Sequence, residues 1–253
     1  MNALLIVLAL QSLCEVGFSW QYPRDADQTL WAFRTCQREV SDQALLPKIY
    51  KWELPDNADT HCYVKCVWMN LGSYDFNSKS INVDTIATQY ETRGLTVPAD
   101  LENLKGATDG SCEAVYKKTI DFFLKEKDNL QHAYYGTIPE SNKWFAQHPD
   151  VKPKRTRISE FCTGKEGGKE GSCKHACSMY YYRLVDEDNL VIPFRKLKMN
   201  GTPEEAFDGC RKDASKETGC KVGDVLYDCI NALNSDGFQA VLKRWDDETD
   251  RTY

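Results

Sequence analysis

The chain has 253 residues, eleven of them cysteine, and a formal net charge of −6. A mildly acidic balance without a basic bias argues against nucleic acid and against a membrane surface as partners. So many cysteines argue against a reducing compartment.

Met1–Ser19 is an apolar run that ends in small residues, Gly17 and Ser19, ahead of Trp20. It is too short to cross a bilayer and reads as a secretory signal peptide, whose removal takes Cys14 with it. The ten remaining cysteines then read as five disulfides. A mature chain of about 230 residues exceeds what one small core requires, so two domains are expected, residues 20–149 and 150–253.

Asp25–Val40 places Leu30, Phe33, Cys36 and Val40 on one face, which predicts a helix with Trp31 pointing away from that face. A second, short helix is expected over Ala44–Trp52, ended by Leu54-Pro55-Asp56. The stretch His61–Leu71 is the hub of the chain. At about 100° per residue, Cys62 and Cys66 share one stripe and Tyr63, Val67 and Leu71 the next, leaving His61, Lys65 and Trp68 on the third side. Cysteines four apart on one helix aim at different neighbours, so this segment should tie two other elements to itself. Gly72–Ser80 reads as a polar turn, Val83–Tyr90 as a helix, and Pro98–Asp109 is ambiguous. Cys112, Val115, Tyr116, Thr119, Ile120, Phe123 and Leu124 then mark one face of a long amphipathic helix.

His148–Arg157 holds two prolines and the cations Lys152, Lys154, Arg155 and Arg157, the pattern of a solvated linker; the sharper reading is that its cations meet an anion. Beyond it, Thr163–Ser172 is Gly- and Lys-rich, and Cys173–Tyr182 repeats the hub. Thr202-Pro203-Glu204-Glu205 reads as a helix start with Thr202 as cap and Glu205 closing a capping box. Amphipathic stripes over Val222–Leu233 and Phe238–Trp245 complete the chain. No stretch carries a convincing strand pattern, so the expected fold class is all-α.

The repeat is the strongest signal. Cys62 and Cys66 are followed by Cys112, and Cys173 and Cys177 by Cys220, at similar intervals and each time just after a glycine, Gly110 and Gly219. Agreement in spacing, order and context marks a duplicated helical module. The second copy adds Cys210 and Cys229, whereas the position equivalent to Cys229 in the first is Asp121. The first copy should hold two disulfides and the second three; four cysteines allow three pairings and six allow fifteen.

A cysteine, then Cys-x3-Cys, then a pair separated by eight residues is the pattern of insect odorant-binding proteins. Loss of one disulfide from the first of two copies resembles the long-form salivary proteins of blood-feeding flies, the D-seven (D7) family. Further echoes are Trp31-Ala32-Phe33-Arg34-Thr35-Cys36, Lys51-Trp52, Cys62-Tyr63-Val64-Lys65-Cys66 and Ile158-Ser159-Glu160-Phe161-Cys162. The resemblance covers the whole mature chain and implies two odorant-binding-like helical domains. It implies the pairs Cys36–Cys66, Cys62–Cys112, Cys162–Cys177, Cys173–Cys220 and Cys210–Cys229. Mosquito long forms carry a longer insertion around the second copy's cysteines, with helices that close an amine pocket. Here three residues separate Cys173 from Cys177, which resembles the sand-fly branch and points away from an amine site.

No metalloprotease, hydrolase or phosphate-loop motif is present, so an enzyme, a metal and a cofactor are not expected. Cys173, His175 and Cys177 do not make a metal site, because oxidised cysteines are not ligands and His175 lies about 200° round a helix from Cys173. What remains is surplus aromatic surface in the first copy. In the family this domain wraps a hydrophobic channel around an acyl chain. The ligand-binding set implied here is Trp52, Tyr63, Val67, Phe123, Lys143 and Trp144, with the Tyr63 hydroxyl bonding a prostanoid oxygen. Lys143, Lys152 and Lys154 are the cations considered for a carboxylate. The resemblance implies a secreted, monomeric salivary carrier of small hydrophobic ligands, eicosanoids of the cysteinyl leukotriene or thromboxane type. An odorant or pheromone carrier of the same fold is one alternative, and a binder of host protein or polyanion through the basic linker is another. Asn200-Gly201-Thr202 is a glycosylation sequon followed directly by Pro203.

Overall fold

The computed structural model describes residues 21–166 and 173–252. The expected signal peptide over Met1–Ser19 and most of the Gly- and Lys-rich stretch Thr163–Ser172 lie outside the described residues. The N-terminal half contains α1 (Ala26–Glu39), α2 (Leu46–Tyr50), α3 (Ala58–Asn70), α4 (Val83–Thr92), α5 (Cys112–Lys125), α6 (Lys127–Tyr135) and α7 (Ile138–Gln147). The C-terminal half contains α8 (Ile158–Thr163), α9 (Ala176–Tyr181), α10 (Asp208–Ala214), α11 (Lys221–Leu233) and α12 (Ser235–Thr252). Among the described residues the fold is helical except for a small hairpin, β1 (Tyr74–Asp75) antiparallel to β2 (Ser80–Ile81), with Tyr74 opposite Ile81. Strands of two residues are too short to leave an alternating pattern. The Asp75 carboxylate closes their turn by accepting from the N–H groups of Asn77 and Ser78, both at 2.8 Å.

Helix starts follow from side-chain caps. Asp25 and Gln28 form a reciprocal capping box on α1, Thr137 and Glu140 another on α7, and Asn57 caps α3 by accepting from Thr60 N at 2.9 Å. Buried side chains gather into two cores, one running from Trp31 to Tyr134 and the other from Ile158 to Trp245. The five disulfides are Cys36–Cys66, Cys62–Cys112, Cys162–Cys177, Cys173–Cys220 and Cys210–Cys229, the pairs the resemblance implies. Through its two cysteines α3 is bolted to α1 and to the start of α5, the two helices it packs on most.

Several local expectations give way to tertiary context. On the third side of α3, Trp68 is fully buried, edge-on to Phe123 at 5.5 Å. His61, also buried, bonds Asp56 at 2.6 Å and packs on the Tyr116 ring. Residues 99–104 of the ambiguous stretch form a 3-10 helix, and Glu126 turns the chain between α5 and α6. Thr202 does not cap a helix. Its hydroxyl accepts from Asn234 Nδ2 at 3.1 Å, a tertiary partner that displaces the local one. Glu204 takes the N–H groups of Leu197 and Lys198, and a 3-10 turn over Glu204–Phe207 follows Pro203.

The two halves meet along α1. Trp31, which the helical stripe placed off the core face, is buried beneath the guanidinium groups of Arg183 and Arg195 from the C-terminal half. Asp27 and Arg183 form an ion pair with both side chains at most 2% exposed, and Arg24 pairs with Glu187. The basic stretch before α8 is only partly a solvated connector. Lys152 is 1% exposed, its backbone N–H donating to the Tyr181 hydroxyl at 3.0 Å, and Arg157 pairs with Asp247 at 3.2 Å.

Candidate functional site

The N-terminal core is unusually rich in rings. Trp52 follows α2 with φ 59°, the left-handed region that costs a bulky residue roughly 1–2 kcal/mol. That turn brings its half-buried indole to within 4.8 Å of Phe123 and 5.8 Å of Phe33. Phe33 in turn lies 4.6 Å from Tyr135. Helix α3 adds Tyr63 and, one turn on, Val67, both within the same core. The result is one aromatic cluster contributed by α1, α3, α5, α6 and the turn after α2, the candidate ligand chamber.

Its polar rim is built by α1. Burial pushes the Tyr63 phenol pKa up, opposed by a hydrogen bond from Gln37 and the nearby Arg34 charge, so the hydroxyl stays a neutral donor at physiological pH. Burial likewise raises Tyr135, which shares Tyr63, Arg34 and Tyr50 as neighbours. Arg34 donates from Nη1 to Gln37 Oε1 at 2.9 Å, while its Nε is buried without a hydrogen-bond partner among the described residues. A cleft of about 240 Å³, lined by Arg34, Gln37, Leu46 and Tyr50 among others, opens at this rim. The arrangement pairs an apolar interior with a few convergent polar groups, the composition of a small-molecule site.

Of the six residues implied for the ligand, Trp52, Tyr63, Val67 and Phe123 are therefore together. Lys143 is exposed on α7, a helix that buries none of its residues. Trp144 stacks on His148 at 4.1 Å and stands edge-on to Phe145, apart from the chamber core. Lys154 lies over the Phe145 ring at 4.7 Å, and Lys152 is buried at the junction of the halves. Arg34, Gln37 and Tyr135 were not singled out in the sequence. The signal available was that Gln37 follows Phe33 by four residues, on the same helical stripe.

The chain is 52% identical over its full length, and over the full length of the relative, to "Long form salivary protein D7LC" of Phlebotomus papatasi. It belongs to the long-form salivary D7 family. The PBP/GOBP family model matches residues 23–119. The solved D7 protein of Phlebotomus duboscqi superposes with a TM-score of 0.83 at 46% identity, covering 92% of this chain and all of that one. Two more distant structures share the fold. One is the complex of AeD7 with leukotriene E4, at a TM-score of 0.67, 20% identity and 91% coverage of each chain. The other is the complex of AnSt-D7L1 with U46619, at 0.63 and 21% identity, covering 92% of this chain and 90% of that one. D7 proteins and their PBP/GOBP-type neighbours are binding proteins rather than enzymes. The relatives are named as salivary proteins, and five disulfides suit a secreted chain.

In this D7 chain the C-terminal half also has a cleft, of about 340 Å³, whose walls include Glu166, His175, Tyr182, Tyr227, Asp246 and Asp247. His175 stacks on Tyr227 at 3.6 Å. Each carboxylate there is already engaged. Glu166 accepts from Ser178 N at 2.6 Å, Asp246 from Ser159 N at 3.1 Å, and Asp247 pairs with Arg157 and with Lys243 at 3.0 Å. Cys162, Glu166 and Cys177 approach one another as metal ligands would, but the two sulfurs are joined in a disulfide and offer no thiolate.

Proposed function

We propose that this chain is a secreted salivary carrier that sequesters host lipid mediators, with cysteinyl leukotrienes and thromboxane-type eicosanoids as its ligands. The reading divides the mature chain into domains at residues 20–149 and 150–253 and places the ligand in the first. The observation that carries it is the aromatic chamber of Phe33, Trp52, Tyr63 and Phe123 beneath a rim of Gln37 and Arg34. An acyl tail lies against the rings. The head group remains at the rim, where the Tyr63 hydroxyl donates to a ligand oxygen and Arg34 meets the carboxylate. Arg34, rather than Lys143 or the linker lysines, takes this role, because its Nε is a buried donor in need of an acceptor. Support from relatives is their family membership and the leukotriene E4 and U46619 complexes of two of them.

A carrier of this kind works by stoichiometry and must bind below the local concentration of the mediator. Titration calorimetry with leukotriene E4 and U46619 should give one-to-one binding. The C-terminal cleft, with its carboxylates engaged, should give no heat with serotonin, histamine or noradrenaline. Absence of heat with every eicosanoid would remove the reading, and a polyanion that bound instead, with strong salt dependence, would replace it.

A further inference from the structure

A different face of α3 borders a second cavity. Tyr63 and Val67 belong to the aromatic core, whereas Lys65 and Met69, roughly 160° round the helix, line a cleft between the two halves. That cleft has a volume of about 470 Å³, within the size range of small-molecule sites. Its apolar wall is a ring from each half, Phe76 and Phe194, stacked at 5.0 Å and 18°. Its polar wall is cationic: Lys65, Arg195, Lys196 and Arg211 line it, against the carboxylates Glu39 and Glu204. Both carboxylates are engaged, Glu39 by Lys198 and Glu204 by two backbone N–H groups and Arg211.

Arg195 is the unusual member. It is 8% exposed, with its guanidinium 4.1 Å from the Trp245 ring and 5.5 Å from Trp31. Its Nε donates to Tyr182 O at 3.3 Å. Its two terminal nitrogens have no acceptor among the described residues, although the side chain lines this cleft and the adjoining one of about 220 Å³. Burying a guanidinium is costly unless its donors are met. Burial lowers its pKa to about 10, so it is still charged at neutral pH. Lys196 is exposed beside it, and Lys65, its pKa lowered by burial, lies near enough to feel the Lys196 charge.

We propose that this cleft is a second ligand site, for an organic anion with a flat apolar body and one carboxylate or sulfonate-type head. The body lies along Phe76 and Phe194, and the head takes the terminal nitrogens of Arg195, whose planar fork fits a two-oxygen acceptor. Lys196 adds charge at the mouth. The site is independent of the eicosanoid chamber, since α3 separates the two.

The probe is 8-anilinonaphthalene-1-sulfonate, co-crystallised with the full chain so that position is read directly, whether or not the aromatic chamber also takes it. The expected result is a naphthalene ring against Phe194 and a sulfonate oxygen within hydrogen-bond distance of Arg195. In solution Lys196→Glu, a surface change that leaves the fold intact, should weaken that site roughly fivefold and leave the affinity for U46619 unchanged. A probe found elsewhere only, or unaltered affinity in the Lys196→Glu protein, overturns the proposal.

Discussion

The Cys-x3-Cys motif is used twice, and its two settings differ. In the N-terminal half both cysteines lie within a helix of 13 residues, α3, long enough to offer Tyr63 and Val67 to an aromatic chamber. In the C-terminal half Cys173 precedes a helix of six residues, α9, that contains only Cys177. After α9 the chain turns through the left-handed region at Arg183 (φ 57°), which sends that side chain across the junction to Asp27. The neighbouring Tyr181 hydroxyl is taken by Lys152 N. The third disulfide, Cys210–Cys229, clasps α10 to α11, where the first copy has Asp121. On the proposed reading one copy keeps its aromatic side chains for a ligand, while the other commits Tyr181 and Arg183 to closing itself and holding the first.

The sharpest way to break that comparison is to cut the junction. Asp27→Ala leaves Arg183 as a buried charge without its carboxylate, and should cost about 3–5 kcal/mol. Urea unfolding followed by far-ultraviolet circular dichroism reads it. An unchanged midpoint would show that the C-terminal half does not lean on α1.

A smaller effect tests the same junction through pH. Burial lowers Lys152 to about 8 in the folded chain, against an ordinary value of 10.5. Below pH 8 the lysine is protonated in both states and its burial opposes folding in full. Between pH 8 and 10.5 the unfolded chain holds the proton more tightly, so this contribution to stability rises with pH, by roughly 3 kcal/mol at most. Lys152→Met should therefore be more stable than the wild type at pH 7. That advantage should shrink between pH 8 and 10.5 in thermal melts run in parallel. A difference independent of pH would mean that the lysine is not held as a buried cation.

The fold was legible where a pattern spans many residues. The duplicated cysteine spacing marked the hub, and the stripe from Cys112 to Leu124 marked α5. The pairing of the cysteines came from family resemblance, since spacing alone leaves it open. What escaped depends on contacts between distant segments. Trp31 looked exposed because periodicity scores a helix against one core, while α1 is covered on its other side by Arg183 and Arg195. The cap predicted at Thr202 lost to Asn234, 32 residues away. At the candidate site the rings were legible as surplus aromatics. The rim was not, because Arg34 and Gln37 read as ordinary polar positions until Tyr63 is placed beside them.

That rim separates charge from hydroxyl. Arg34→Gln keeps a polar side chain on α1 and removes the cation. If the ligand carboxylate rests on it, leukotriene E4 should weaken by about 2 kcal/mol, roughly thirtyfold, with little change in melting temperature. Retained affinity would return the carboxylate to the solvent or to another cation.

The smallest effect is the most specific. Tyr63→Phe keeps the ring and its packing within the core and removes only the hydroxyl. Gln37 is then left one partner short at a rim that already borders an open cleft, so water replaces it and stability should barely change. A hydroxyl donating to a ligand oxygen in this setting is worth about 1–1.5 kcal/mol, up to tenfold in dissociation constant. U46619, held by its polar ring, should show that loss in calorimetry. Leukotrienes, held more by their tails, should lose less. Equal losses for both ligands, or none, would make Tyr63 a wall of the chamber and no more, and the N-terminal copy would then differ from the C-terminal one in the space it keeps rather than in the polar groups it aims there.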